Sequence, residues 1–180
     1  MKIAKQLKDS NVAEYLLYMW QLEDTLRAFG CDADRLRDEY VARFDMTDDE
    51  RRAEAQWLCD LCQMMREEGK TEQGHLQINQ GTLSLLTDLH LQLLQSAKHP
   101  FYSAAYYKAL PFIVELRARS GRTSAPELEN CFDALYGTML LRLQHKEISQ
   151  PTQEAVAHIT HLLALLADAW RKEKAGELEL

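Results

Sequence analysis

Three ionisable residues stand where the apolar stripes of predicted helices should be uninterrupted. Glu23 occupies a position in the apolar row of one helix, and His90 lies between the leucine rows of another. Arg117 continues the row that Tyr106 begins on a third helix. Because burying an isolated charge is costly, we expect these groups to contact one another or tyrosine hydroxyls. The sequence therefore predicts an interior polar site made of Glu23, His90, Arg117, Tyr106 and Tyr107.

This predicted site has more than one interpretation. Tyr15 and Tyr18 offer further hydroxyl groups, so the polar residues can form a purely structural network. Arg117 can also bury its aliphatic stem while its guanidinium reaches water. Buried ion networks are often structural, which favours these interpretations over a ligand-binding site. No residue is assigned a catalytic role.

Two short motifs resemble metal or redox sites. Cys59-x-x-Cys62 lies inside a predicted helix, and the chain has no second C-x-x-C to complete a zinc site. Two small residues that pack on one helix face explain this motif. Glu72-x-x-His75 resembles half of a di-iron bundle motif, but Gly74 interrupts it and no partner copy is present. The sequence therefore predicts no bound metal.

A histidine row and a phosphate-loop fragment are also explained without a ligand. Glu154, His158 and His161 share one side of the last predicted helix, centred away from its apolar face, so this row is expected to face mostly solvent, with His158 at the border. The run 69–71, Gly-Lys-Thr, lacks the earlier glycine of a phosphate-binding loop, because Met64 occupies that position, and it follows a helix instead of a strand. No cofactor is predicted.

Capping signals and 3.6-residue periodicity predict an all-α bundle of about seven helices. No useful alternating pattern indicates a strand. A single domain is expected over 1–180, with a short turn within 1–10 and a flexible tail at 174–180. The predicted helices cover approximately residues 11–30, 32–44, 47–69, 78–96, 103–119, 124–145 and 149–172.

The segment 99–119, HPFYSAAYYKALPFIVELRAR, is predicted to be the central helix of the bundle. Ser103 is expected to cap it after a Pro-Phe-Tyr loop. Pro111 lacks a backbone N–H and is expected to kink the helix without breaking it. Tyr106 belongs to its main apolar row, and Tyr107 lies at the edge of that row.

The composition limits the function classes. A net charge of −7 argues against binding to a nucleic-acid backbone, which requires a basic face. No apolar run approaches the roughly 20 residues that cross a bilayer, so no membrane association is expected. Four cysteines in 180 residues are few for a disulfide framework, which favours a reducing cytoplasm.

Long blocks of the chain resemble an uncharacterised family of Bacteroidetes proteins that is known as a domain of unknown function. The resemblance implies a single all-helical cytoplasmic domain from a bacterium and brings no catalytic or binding residues with it. It rests on AEYLLYMWQLED (13–24), GHLQIN (74–79), TDLHLQLL (87–94), HPFYSAAYYKALPFIVELRAR (99–119) and CFDALYGTMLLRLQHKEIS (131–149).

Two hypotheses about function follow. The first is a non-catalytic helical protein that binds a protein partner or associates with itself, supported by many bulky aromatic residues and by the lack of a catalytic constellation. The second is a small-molecule or metal-dependent activity in the bundle interior that uses Glu23, His90 and Arg117.

Overall fold

A computed structural model describes residues 1–120 and 126–180, except for the side chains of residues 119 and 120. Among these residues there are eight α-helices and no strand, which confirms the all-α prediction. The third helix is short and continues into a π-helical turn (36–40) and a 3₁₀ turn (41–43). The helices are α1 (Lys2–Ser10), α2 (Val12–Ala28), α3 (Ala33–Arg35), α4 (Asp48–Glu67), α5 (Gln77–Gln95), α6 (Pro100–Ser120), α7 (Glu127–Leu143) and α8 (Gln150–Lys174).

The start of α2 follows its local sequence signals. The Asn11 side chain accepts hydrogen bonds from the backbone N–H groups of Ala13 and Glu14, which confirms the predicted cap. The helix ends before Gly30, which adopts a left-handed φ of +67°. The residues before Asn11, predicted as a turn, form the nine-residue helix α1. Because short isolated helices are marginal in water, we attribute α1 to its packing on α2, where Ala4 is buried.

The segment between α2 and α4 is less regular than predicted. Residues 32–44 were expected to form one surface helix, and they instead change from α to π to 3₁₀ geometry. The capping box at the start of α4 is confirmed, since the Thr47 hydroxyl accepts the Glu50 backbone N–H and the Glu50 carboxylate accepts the Thr47 backbone N–H. A left-handed Gly69, with φ of +66°, follows the end of the helix.

Helix α6 begins earlier than expected. Its first residue is Pro100, so the prediction that Ser103 caps the helix is wrong. Proline suits a first helical turn because the N–H that it lacks has no helical partner there. The Ser103 backbone N–H donates to the carbonyl of His99, already inside that turn. The helix runs unbroken past Pro111, and the bend there stays a prediction; the predicted cap at Ser124 falls outside the described residues.

Helix α6 lies at the side of the bundle. Helices α2, α5, α7 and α8 pack against one another, and α6 packs on α5, α7 and α8. The prediction that 99–119 is the central helix therefore does not hold, because α6 buries only one side. The buried residues of that side are Tyr102, Ala105, Ala109 and Ile113.

The core of the bundle is formed mainly by residues of the other helices. Its largest fully buried side chains are Trp20, Phe132, Leu16, Met19, Leu26, Leu36, Leu58, Met65, Leu76, Leu86, Leu89 and Leu93.

The end of the chain returns to the bundle after α8. Leu178 packs against the core, and the backbone carbonyl of Glu179 lies 2.8 Å from Nε2 of His99. The predicted tail thus contacts the α5–α6 junction. No helix in the described part of the chain is both long and apolar enough to cross a bilayer.

Candidate functional site

Glu23 of α2 is buried, with a residue exposure of 1%, and both of its carboxylate oxygens are occupied. Oε1 accepts hydrogen bonds from the backbone N–H of Leu76 (2.9 Å) and from the side-chain amide of Asn79 (2.7 Å). Oε2 lies 2.6 Å from Nδ1 of His75. Tyr15 extends the network by donating its hydroxyl to the Asn79 side-chain oxygen at 3.3 Å. The carboxylate therefore joins α2 to the start of α5, where the positive end of the helix dipole favours an anion.

His75 stacks flat on Trp20, with ring centroids 4.1 Å apart and planes 15° apart. Its side chain is 21% exposed, so one part of the ring reaches solvent. When Nδ1 carries the proton that Glu23 accepts, Nε2 of the neutral ring is a free acceptor or base. A histidine oriented by a buried carboxylate can bind a ligand or accept a proton.

This histidine lines an open cleft of about 560 Å³ between α2, the segment before α5, and α7. We name it the acidic cleft, because four carboxylates and one guanidinium line it. Arg27 closes one end by donating to the carbonyls of Lys70 (3.2 Å) and Gly74. The residues that line the acidic cleft are Trp20, Asp24, Arg27, Glu72, Gln73, Gly74, His75, Gln80, Glu129, Asp133 and Tyr136.

Three of these lining groups hold one another in place through hydrogen bonds and an ion pair. The Tyr136 hydroxyl donates to Oδ2 of Asp24 at 2.5 Å, and Oδ1 of Asp24 pairs with Arg27 at 2.7 Å. Burial, together with the neighbouring Asp24 carboxylate, raises the pKa of the Tyr136 hydroxyl, so Tyr136 stays a neutral hydrogen-bond donor. The wall of the cleft is therefore pre-organised.

His90 of α5 forms a separate polar pair with Tyr102 of α6. Its Nδ1 lies 2.5 Å from the Tyr102 hydroxyl, and its ring meets that of Tyr106 at 66° with centroids 5.2 Å apart. Burial lowers the pKa of His90 to about 4, and His90 is neutral at pH 7. Burial also raises the pKa of Tyr102, whose hydroxyl can donate to the imidazole. Nδ1 of His90 and the Tyr102 hydroxyl thus satisfy each other.

The five residues of the predicted interior site lie in different surroundings. Glu23 bonds to His75 across the α2–α5 junction, while His90 and Tyr106 pack together elsewhere. Arg117 is half-buried on α6. The prediction that Tyr107 is an interior residue is wrong, because it is 67% exposed. Adjacent residues of a helix point about 100° apart, and Tyr106 takes the inner direction.

Tyr107 belongs to an exposed apolar row on α6 that we name the outer stripe. Its members recur at alternating intervals of three and four residues, and every one of them is exposed. Tyr107 is 67% and Val114 58% exposed. Lys108 and Glu115 are also exposed and lie along one flank of the row. The outer stripe consists of Ala104, Tyr107, Pro111, Val114 and Ala118.

The remaining cysteine and histidine motifs behave as packing residues. Cys62 is fully buried in α4, and burial raises the pKa of its thiol to about 12, far from the range of a reactive thiolate. All four cysteines are free. Glu154 and His161 are exposed, as expected for a solvated helix face, whereas His158 is half-buried at its border and stacks on Phe112 of α6. No cluster of three or more metal-ligand side chains occurs among the described residues.

Sequence reasoning missed the two partners that matter most in the interior, His75 and Tyr102. His75 is discounted together with the interrupted Glu72-x-x-His75 motif. Its position immediately before the start of an apolar helix is the signal that could have identified it. Tyr102 lies in the first turn of α6, which a helix start at Ser103 leaves out.

Comparison with protein families gives a match over nearly the whole chain. The family whose description is Domain of unknown function (DUF4924) matches residues 1–177 of the chain. No curated protein and no solved structure matches the chain.

Proposed function

The chain belongs to the DUF4924 family, and we propose that it is a non-catalytic helical module that binds a protein helix through the outer stripe of α6. One observation carries this proposal: an apolar row, the outer stripe, runs along the side of α6 that points away from the bundle, with Lys108 and Glu115 on one flank. A surface helix of a globular protein normally carries charged and polar residues on its outer side. The outer stripe has no charged residue over its whole length.

The form of the stripe favours a helical partner. Apolar residues that alternate at intervals of three and four form the seam along which two helices pack lengthwise. Tyr107 supplies a large apolar surface with a polar tip, which is common at interfaces. Phe101, the most exposed large hydrophobic residue, lies at the N-terminal end of the same helix. A partner that covered this side would remove a contiguous apolar patch from water.

A photo-crosslinking experiment tests the proposal. A photoreactive phenylalanine analogue at position 114 should form crosslinks to protein when the full-length chain is illuminated in its own cells. The matched control places the same analogue at position 85, since Leu85 is a similarly exposed apolar residue on α5. Crosslinks at 114 and not at 85 are the expected result. An equal yield at both positions, or none at 114, would overturn the proposal.

A bacterial cytoplasm is the proposed location. Its support is the resemblance of the sequence together with the state of the cysteines. Cys31 and Cys62 are buried, and all four cysteines are free. A reducing compartment keeps cysteines as thiols.

The acidic cleft supports a second candidate function, which is binding of a small organic cation. The specific observation is that His75, oriented by buried Glu23, lies in a cleft that carries four carboxylates against one guanidinium. Carboxylates at a concave, partly apolar surface attract a positively charged ligand such as a polyamine.

Calorimetric titration with spermidine tests this second candidate. We expect the double variant Glu72→Gln/Glu129→Gln to bind spermidine several-fold more weakly than the wild type. The control Glu173→Gln/Glu177→Gln changes the net charge equally at exposed positions near the C-terminus that do not line the acidic cleft. If the control loses as much affinity, the binding is non-specific and the acidic cleft is not the site.

A further inference from the structure

We infer that the helix bound by the outer stripe is α6 of a second copy of this chain, arranged antiparallel around a two-fold axis near Pro111. This inference rests on the proposed function and names its partner. Two features of the described residues support it: the order of side chains along the stripe, and the positions of the two charges beside it.

The order of side chains is nearly the same in both directions from Pro111. Ala104 lies seven residues before it and Ala118 seven residues after it. Tyr107 and Val114 lie at almost equal distances on the two sides. An antiparallel two-fold axis at Pro111 therefore sets small residues against small residues at both ends.

The same axis sets each bulky residue against a different one. Tyr107 of one copy faces Val114 of the other, so an aromatic ring packs on a β-branched side chain. Such a contact is self-complementary, because both halves of a two-fold interface use the same surface. Ala104 and Ala118 allow the ends of the helices to approach closely.

The flanking charges favour the antiparallel direction. Lys108 and Glu115 lie on the same side of the seam and at nearly equal distances from Pro111. In the antiparallel pair, Lys108 of each copy faces Glu115 of the other, which makes two opposite-charge contacts. In a parallel pair these residues would face Ser103 and Leu110 and would gain no charged partner.

The size of the contact sets its strength. From Ala104 to Ala118 the stripe is about 21 Å long at the rise of an α-helix. One helix pair of this length buries less surface than a permanent dimer does. We therefore expect a reversible dimer with a dissociation constant in the micromolar range.

Sedimentation velocity of the full-length chain, from low micromolar to about 1 mM, tests the inference over the range in which small interfaces dissociate. The wild type should form a dimer as its concentration rises. Tyr107→Glu places a carboxylate in the seam and should weaken the dimer by about tenfold or more. The control Leu85→Glu makes the same change at an exposed position of α5 and should dimerise as the wild type does.

A charge exchange tests the direction of the helices. Lys108→Glu should weaken the dimer, because it sets two carboxylates against each other across the seam. Adding Glu115→Lys in the same chain should restore the dimer, because positions 108 and 115 of the two copies then carry opposite charges again. Circular dichroism of every variant checks that it is folded. A wild type that stays monomeric to about 1 mM, or a double variant that is no better than the single one, would overturn the inference. Crosslinks from position 114 to a different protein would then leave the proposed function standing, whereas the absence of any crosslink would remove both.

Discussion

The α2–α5 junction and the outer stripe of α6 depart from the usual distribution of residues in opposite ways. At the junction, a carboxylate lies inside the bundle and all of its oxygens are bonded to neighbouring groups. On α6, an aromatic ring and a valine lie outside and have no cover in the single chain. The first departure is complete within one molecule, whereas we propose that another copy of the chain completes the other.

The comparison separates stability from association. Buried polar groups that are fully hydrogen-bonded hold a fold in one arrangement, and their removal leaves partners unsatisfied. Exposed apolar groups contribute little to the fold of one chain, and their burial stabilises a complex. Changes at the junction should therefore lower the free energy of unfolding, whereas loss of the exposed Tyr107 or Val114 side chain from the outer stripe should leave it almost unaltered.

The largest effect is expected from Glu23→Ala. The change leaves the Leu76 N–H, the Asn79 amide and the His75 ring without their acceptor. We expect a loss of about 3–5 kcal/mol in the free energy of unfolding, measured by urea denaturation. Glu154→Ala, at an exposed position of α8, is the control and should change it by less than about 0.5 kcal/mol. A loss below about 1 kcal/mol for Glu23→Ala would show that the junction does not depend on its carboxylate.

A pH-dependent effect of intermediate size is expected from His90. Its pKa is about 4 in the folded chain, below the ordinary value of 6.5. The unfolded chain therefore binds more protons between these values, and stability falls as the pH falls through that window. From pH 7.5 to pH 5, wild type should lose about 2 kcal/mol more than His90→Gln does. Equal pH profiles of the two proteins would show that His90 is not held neutral.

Pro111→Ala sharpens the comparison, because it should move stability and association in opposite directions. Pro111 cannot donate to the Tyr107 carbonyl, and alanine restores that hydrogen bond. We expect the free energy of unfolding to rise by about 1 kcal/mol, which is a fraction of the intrinsic penalty of proline in a helix. We also expect the dimer to weaken, since the bend predicted at Pro111 gives the seam its shape. A variant that gains stability and dimerises unchanged would show that the bend has no role in docking.

The smallest effect on stability is expected from Tyr107→Ser. The tyrosine is 67% exposed, so the free energy of unfolding of the monomer should change by less than about 0.5 kcal/mol. Urea denaturation at low protein concentration measures it without a contribution from the dimer. A loss above about 1 kcal/mol would place Tyr107 among the residues that hold the fold of the single chain.

Features whose cause lies within a few residues could be predicted from the sequence. The caps at Asn11 and Thr47 depend on donors and acceptors three residues apart, and both are present. The positions of Gly30 and Gly69 after helix ends follow from the left-handed conformation there. The all-α fold class depends on the same local signals.

Features that depend on distant packing could not be predicted. Glu23 and His75 are 52 residues apart, and nothing local indicates that they meet. The aromatic residues and the internal proline of the mid-sequence segment 99–119 predict a central helix, whereas α6 lies at the side of the bundle. Periodicity indicates that a side must be covered, and it does not indicate whether the cover belongs to the same chain.

Disulfide trapping across the α6 seam tests the central claim most directly. The double variant is Ala104→Cys/Ala118→Cys, made in a Cys59→Ser background because Cys59 is the native cysteine that is not buried. In the antiparallel pair, the new thiol at position 104 of one copy faces the new thiol at position 118 of the other. Within one chain these positions lie about 21 Å apart along the helix, too far for a disulfide. Our account predicts a covalent dimer from the double variant under mild oxidation, and none from either single variant. A covalent dimer from Ala104→Cys alone, or a double variant that stays monomeric, would contradict an antiparallel α6 pair.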